Sequence, residues 1–585
     1  MKSDFPGWLL RFVVILSLVG FLVGYAHRRI PSVEVGVDDA NIFLVYAQNV
    51  AHGQGFVFNA GGERVEGFSS ISWVLIGALF CFLGHNAEWW LCLFNAVIVA
   101  LALSLAMTAI DRLSAARTGR AGLGKVSLTS LLLLAWAFSS PGYVCWTTLT
   151  LMETGLWSAL LVAVPFVLAG AVDLWRSRRA GTIALTALMP LLVLTRPEGM
   201  LWGIAVLVLY LFLLVTLGTG LRAAVKRAAA PAAAFVGTWL LLSAFRLAYF
   251  GYPFPNTYYA KISPDKAYDI QQGWVYFREF LASNRCLLPL LGIAVISAAA
   301  FALWLTVRGR RATAESRALP IAGLSVAAVA CLGAVVPILV GGDHFRSFRF
   351  YQPVWPLLVL PVCFCLAVVW RGLDPGTWPG RLAGLRYALM VPVIVALPKV
   401  NAAKWTDLAT TGITHEFALA KEGRDNGEYL NHAFGEAKPP SLGVVAVGGI
   451  KYAYHGPILD LMGLNNVEMA HFPGDRKGIK NHASFSKEVF YRQLPDGVFL
   501  LVAADVPDKD LSRAHPFVAK VLGNRWVIGP VRGLYDDAEF RARYKLAAVR
   551  PREGADPRRV LAFFRNDYLE KLKGMGSLDV VVAGD

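Results

Sequence analysis

Runs of roughly 20 apolar residues, separated by short clusters of Arg and Lys, recur along the first 400 positions of this chain and leave it few ways to fold. Only a helix or a closed barrel satisfies its own backbone hydrogen bonds in hydrocarbon, and uninterrupted apolar runs of this length select the helix. The runs fall at residues 8–25, 88–110, 126–139, 155–172, 181–196, 199–217, 228–248, 286–307, 319–340, 353–371 and 385–400, which predicts about 11 crossings. With 56% hydrophobic and 16% charged residues over 585 positions, a soluble chain is excluded. The expected fold is an α-helical polytopic membrane protein.

A net charge of +16 invites a nucleic-acid partner, but its distribution argues against one. The basic residues gather as Arg112/Arg117/Arg120/Lys125, Arg176/Arg178/Arg179, Arg222/Lys226/Arg227, Arg308/Arg310/Arg311/Arg317 and Arg371/Arg381/Arg386, as cytoplasmic loops require. Lys2 and Arg11 precede and enter the first run, which has no small-residue cleavage site, so it reads as an uncleaved anchor in the plasma (bacterial inner) membrane. Arg28 and Arg29 oppose this orientation and are outvoted by the later loops. The run at 72–83 is short, and counting it as a crossing would invert every later basic loop; it is expected to lie in the outer interface. The seven cysteines all precede residue 366 and form no disulfide or zinc pattern.

Two domains follow: a transmembrane domain over 1–400, including an outer-face loop at 26–87, and a soluble extracytoplasmic domain of mixed α/β type over 401–585. Strand-like stretches at 443–447 and 497–503 mark the latter. The glycines at 442–449 lack the spacing of a dinucleotide loop.

In this topology the unusual polar residues collect on the outer face. Asp38 and Asp39 open a helix whose Ile42, Val45, Tyr46 and Val50 share one side. Adjacent carboxylates raise each other's pKa unless compensated, so the doublet is either a helix cap or a chemical group. Glu66 lies in the same loop, and Glu153 in the 139–154 connection. Arg196 and Glu198 flank Pro197, as an ion pair at a helix hairpin or as anion-binding groups. The 251–261 loop carries Asn256, Tyr258, Tyr259 and Lys261, suited to interfacial anchoring or to sugar and phosphate contacts. The 341–350 segment carries Asp343, His344, Arg346 and Arg349, where capping and lipid head groups are the ordinary readings.

Together these side chains match what sugar transfer from a lipid phosphate demands. A carboxylate accepts the acceptor's proton or holds the acceptor in place. Guanidinium groups grip phosphate with paired hydrogen bonds. Aromatic rings give flat faces to a sugar and an apolar wall to an isoprenoid. An Asp doublet also suits Mg²⁺, Mn²⁺ or Ca²⁺, with Asp38 or Asp39 as ligand.

Asp38-Asp39-Ala40, the stretches 53–59 and 65–70 with Trp73, and Thr195-Arg196-Pro197-Glu198-Gly199 resemble motifs of the GT-C superfamily of polyprenyl-phosphate-sugar-dependent glycosyltransferases. So do Pro255-Asn256-Thr257-Tyr258-Tyr259-Ala260-Lys261 and Gly341-Gly342-Asp343 with Arg349-Phe350. Within the superfamily the chain is most similar to mycobacterial terminal β-(1→2)-arabinofuranosyltransferases, strongly over 37–74 and weakly after 401, where 460–465 is the most familiar piece. The resemblance implies that Asp38 or Asp39 is the essential acid, and that Arg196, Lys261, Arg346 and Arg349 bind the donor phosphate. It places Glu66, Glu153, Glu198, Asn256, Tyr258, Tyr259, Asp343 and His344 around the substrates. The residues at 342–347 depart from the aromatic and small residues of the motif, which leaves His344 and Arg346 without a set role.

The expected activity is transfer of a sugar, arabinofuranose by resemblance, from a polyprenyl phosphate to a glycan, lipid or protein acceptor on the outer face. Mannose and aminoarabinose are the alternative sugars. A lipid-linked sugar transporter or flippase, which would carry its ionisable groups near mid-membrane, and an assembly protein without chemistry are the rivals from other classes.

Overall fold

The apolar runs fold as expected into helices, Phe5–His27, Ala87–Ala115, Leu128–Ser139, Thr154–Ala171, Arg178–Thr195, Gly199–Thr216, Leu221–Phe250, Leu287–Arg308, Ala314–Leu339 and Trp355–Gly372. This computed structural model describes residues 5–584 apart from 85, 116–127, 173–177, 373–391, 393–394, 436–438, 508 and 555. Most of the expected span at 385–400 lies outside the described residues, as do Lys2, Arg117, Arg120, Lys125, Arg176, Arg381 and Arg386.

Among the described residues, seven helices are long and apolar enough to cross a membrane, fewer than the count expected from sequence. The expected spans at 126–139, 181–196 and 353–371 form apolar helices that fall short of this length, and the span at 385–400 lies mostly outside the described residues. The 12-residue helix Leu128–Ser139 rises only about 18 Å, well short of the ~30 Å hydrocarbon core. It is pinned from within instead. Trp136 and Trp355 stack at 4.4 Å between ring centroids, and each indole N–H donates to the other's carbonyl oxygen, at 2.8 and 3.0 Å. The pair thereby buries two large rings without orphaning either N–H. The short apolar run expected in the interface is the 12-residue helix Ile71–Phe82, capped by Ser70, which accepts from the Trp73 N–H.

From residue 442 a six-stranded sheet forms: β1 (Leu442–Val444), β2 (Ile458–Asp460), β3 (Gly497–Ala503), β4 (Tyr544–Pro551), β5 (Arg559–Arg565) and β6 (Leu578–Val582). The order is β2-β1-β3-β5-β4-β6, parallel across the first three and antiparallel across the rest. Alternation along β5 supplies both faces: Leu561 and Phe563 pack with Phe490, Val498 and Phe540, whereas Val560, Ala562 and Phe564 point the other way. That second face does not stop at the sheet. Its apolar cluster continues through Tyr429, Leu430 and Ile450 to Val37, Ala40, Phe43, Phe68 and Trp73. The C-terminal portion and the segment that carries the acidic doublet therefore share one core, and this continuity fixes the site.

Candidate active site

Asp38 and Asp39 occupy the first turn of helix Asp38–Ala51, whose cap position is Val37 without a side-chain hydrogen bond. Neither carboxylate caps the helix. Asp38 is buried, and its two oxygens accept from the consecutive backbone N–H groups of Gly448 and Gly449, at 3.1 and 2.7 Å. A Cβ on Gly448 would stand 1.9 Å from the Asp38 carbonyl oxygen, so only glycine permits the approach. Burial pushes the Asp38 carboxyl up to about 6 against the opposing pull of these two hydrogen bonds.

Asp39 turns the other way. Burial alone would raise its pKa, but Lys261, Arg349 and His344 outweigh burial and hold it below the ordinary carboxylate value. Arg349 reaches it from a turn built on Gly341 and Gly342, at φ 87° and 66°, followed by Ser347 and Phe348 in the same left-handed region. The Arg349 Nη1 donates to Asp39 Oδ2 at 3.1 Å and its Nε to Asp343 Oδ2 at 2.7 Å. Its guanidinium carbon lies 4.3 Å from the Phe345 ring centroid and 5.3 Å from that of Phe350. Burial would raise Asp343 as well, yet Arg349 and His344 hold it far below its ordinary value.

Arg196 supplies a second buried guanidinium. Helix Arg178–Thr195 stops ahead of Pro197, which disfavours helical geometry at Arg196. Arg196 then forks onto Glu198 at 3.2 and 3.0 Å and donates from Nη1 to Glu153 Oε1. The other Glu153 oxygen is buried without a partner.

These groups line two small adjoining cavities, each partly open to solvent. One is polar, walled by Asp39, Glu153, Arg196, Lys261, Arg349, Thr257 and Ser69, with Phe43, Phe68 and Leu464. Lys261 is half-buried there and has no ion-pair or hydrogen-bond partner among the described residues. The other is mainly apolar, walled by Trp157, Leu161, Trp202, Val336, Pro337 and Val340, with Glu198 among its polar groups. Arg196 and Arg349 belong to both walls.

Several expected residues have other duties. Glu66 forms a two-pronged pair with Arg246, 2.8 Å at each contact, and is held in the helix Leu221–Phe250 rather than facing the cavity. Asn256 donates to the carbonyl oxygens of Gly463, Leu464 and Asn466 and so anchors the 460–466 turn. Tyr258 stacks on Phe254, and Tyr259 on His471 at 4.0 Å. His344 lies beside Asp343 at 3.3 Å and against His482. Arg346 is exposed, with its stem on Gly412, and lines neither cavity.

Other contributors lay outside the sequence reading. They are Gly448 and Gly449, Asn481, which donates to Asp343 Oδ1 at 3.1 Å, and His482. All come from the C-terminal portion.

A divalent cation does not fit this donor set. Both Asp38 oxygens are engaged by N–H donors and Asp39 faces Arg349 and Lys261, so no open cage of oxygens exists at the doublet. Among the described residues no group of three or more His, Cys, Asp and Glu side chains suits a metal ion elsewhere.

No family model and no curated protein matches this chain. Among solved structures it is similar to the archaeal oligosaccharyltransferase AglB from Archaeoglobus fulgidus in complex with an inhibitory peptide and a dolichol-phosphate, at TM-score 0.43 and 14% identity, covering 92% of this chain and 73% of that one. That likeness is too low to bear on function.

Proposed function

We propose that this protein is a membrane glycosyltransferase that moves a sugar from a polyprenyl phosphate to an acceptor hydroxyl. One observation carries the reading: Arg196 and Arg349 stand between a polar cavity holding Asp39 and Lys261 and an apolar cavity walled by Trp157, Trp202 and Val336. The donor has the same three parts in the same order, a sugar, a phosphate and an apolar chain.

In the step this implies, the acceptor oxygen attacks the anomeric carbon as the bond from that carbon to the phosphate oxygen breaks. The bonding pair leaves with the phosphate, and the hydroxyl proton passes to Asp39. Lys261 and the two guanidiniums meet the charge that grows on the phosphate. The polar cavity is lined by Asp39 and Glu153 against Arg196, Lys261 and Arg349, one cation more than carboxylates. That excess of one positive charge suits the single negative charge of a phosphodiester.

In this reading residues 1–400 form the membrane catalytic portion, residues 401–585 close over it on the outer face, and the site lies between them. The residue resemblance favours arabinofuranose as the sugar, with mannose and aminoarabinose as the alternatives. Ionisable groups at helix ends, rather than mid-span, favour an enzyme over a transporter.

The test is transfer by the purified protein from a panel of polyprenyl-phosphate sugars to glycan, lipid and peptide acceptors. Transfer from at least one donor, abolished in Asp39→Asn, is the expected result. Full activity in both Asp38→Asn and Asp39→Asn overturns the reading.

A further inference from the structure

The side chains around the polar cavity divide into those already engaged with one another and those that are not. Asp39 meets Arg349 at 3.1 Å, and Arg196 holds Glu198 and one oxygen of Glu153. Ser69, Thr257 and Lys261 line the same cavity and are each half-buried, and among the described residues their side chains have no hydrogen bond or ion pair. The second oxygen of Glu153, a residue of that wall, is buried and lacks a donor as well. Buried polar atoms are nearly always paired, so this wall is short of partners that the chain itself does not supply.

The two unengaged hydroxyls stand on backbone that is tied down on both sides. The Asn256 N–H donates to the Glu66 carbonyl oxygen at 3.0 Å and joins the segment before Ser69 to the start of helix Asn256–Lys261. Gly67 donates to the Tyr46 hydroxyl at 3.1 Å and Ser70 Oγ accepts from the Trp73 N–H at 3.3 Å, so Ser69 lies between two fixed points. Thr257 follows Asn256, whose amide spans the carbonyl oxygens of Gly463, Leu464 and Asn466. Thr257 and Lys261 are four apart on one helix face, with about 5–6 Å between their Cβ atoms. A group bound by Lys261 and a group bound by Thr257 are therefore about one sugar ring apart.

The rest of the wall narrows the chemistry of the missing partner. Phe43, Phe68 and Leu464 line the cavity beside these hydroxyls, so its occupant presents C–H groups as well as polar ones. A serine or threonine hydroxyl both donates and accepts, as a sugar hydroxyl does. We propose that Ser69 and Thr257 are specificity-determining residues that hydrogen-bond hydroxyls of the donor sugar, while Lys261 holds the phosphate one helical turn from Thr257. A hydroxyl of the same ring supplies the donor that the Glu153 oxygen lacks. Selectivity follows from what happens when a hydroxyl is missing: a sugar without it leaves a wall hydroxyl unpaired and is bound and transferred less well.

This inference rests on the proposed glycosyl transfer, and its test separates the two. Wild type, Ser69→Ala, Thr257→Val and Thr257→Ser are assayed with polyprenyl-phosphate arabinofuranose and mannose and with the monodeoxy analogues of each, alongside thermal unfolding. With the parent sugar that the wild type transfers, Ser69→Ala and Thr257→Val are each expected to lower kcat/KM about 5–10-fold. Each is also expected to lose that factor from its preference for the parent over one monodeoxy analogue, whereas Thr257→Ser, which keeps the hydroxyl, retains the preference. The ratio of parent to monodeoxy donor within one variant does not depend on how much of it is folded, so a destabilised variant still gives the answer. A Ser69→Ala or Thr257→Val enzyme with wild-type kcat/KM for the parent overturns the inference while transfer by the wild type stands. So does an equal loss on the parent and on every monodeoxy donor, which places the contact on the phosphate, the acceptor or the fold. A wild type that transfers from no polyprenyl-phosphate sugar removes both.

Discussion

Arg349 donates to Asp39 at 3.1 Å across 310 residues of sequence, and the same guanidinium holds Asp343 at 2.7 Å. One planar fork thus fixes one carboxylate of the acidic doublet and that of the 341–350 turn together. Lysine offers a point charge and no fork, so Arg349→Lys leaves one buried carboxylate poorly satisfied. Arg349→Gln leaves both without their guanidinium partner. We expect Arg349→Gln to lower stability by about 3–5 kcal/mol and transfer by at least ~100-fold, with Arg349→Lys intermediate. Chemical unfolding in detergent and initial rates check this.

Asp38 sets a pH dependence of the opposite sign to that of its neighbour. Its carboxyl sits at about 6 in the fold against ~3.9 in an unfolded chain, so the fold keeps a proton that the unfolded chain has released. Stability from this group is full below about pH 4 and is lost as pH rises through about 6. Asp39 and Asp343, held low in the fold, contribute above the ordinary carboxylate range and lose that contribution as pH falls. Asp38→Asn is therefore expected to flatten the fall in unfolding temperature between about pH 4 and 7 and to leave the acid limb in place. Differential scanning fluorimetry across that window measures it.

How much of this was legible follows from the range over which each signal acts. Hydrophobic runs placed the helices, because a helix in hydrocarbon answers to its own sequence. The helix start at Asp38, the nonspanning helix Ile71–Phe82 and the strand at β3 were legible for the same local reason. The partners of the charged groups were not. Glu66 sits 180 residues from Arg246, and Asp38 some 410 from Gly448, with no periodicity to join them. The glycines at 448 and 449 read as a failed phosphate loop, since their use is to admit a carboxylate. Arg346 and Arg349, three residues apart, looked equivalent until two left-handed residues turned one inward and left the other outside.

Gly448 makes that close approach testable. Its Cβ would meet the Asp38 carbonyl oxygen at 1.9 Å, a contact relieved only by moving the backbone that holds both Asp38 oxygens. Overpacking of this kind costs ~1–3 kcal/mol. Gly448→Ala is expected to destabilise by that amount and to abolish transfer, whereas Gly576→Ala, with open space around it, does neither. Parallel rate and unfolding measurements distinguish them.

Glu66 and Arg246 offer the contrasting case of a buried pair with a structural duty. Removing one partner strands the other, so Glu66→Gln and Arg246→Gln should each destabilise by about 3–5 kcal/mol. Replacing both with leucine removes the stranded charge, and the double variant is expected to be more stable than either single one and to retain transfer. A double-mutant cycle in unfolding free energy, with rates on each variant, tests this.

The apolar cavity gives a prediction about the donor's tail that the polar cavity does not share. Val336 is buried on that wall, on helix Ala314–Leu339, and faces Trp157 and Trp202 across the space. Val336→Trp fills the slot on the side away from Asp39 and Lys261, which line only the polar cavity. A chain long enough to enter must then displace the new ring, at a cost of about 1–3 kcal/mol, whereas a donor with about two isoprene units stops short of it. The KM for a long-chain donor is therefore expected to rise ~10-fold or more, while that for the short-chain donor and the kcat of both stay near wild type. Equal effects on both chain lengths would place the tail elsewhere, because only a chain that passes the arginines can sense what lies behind them.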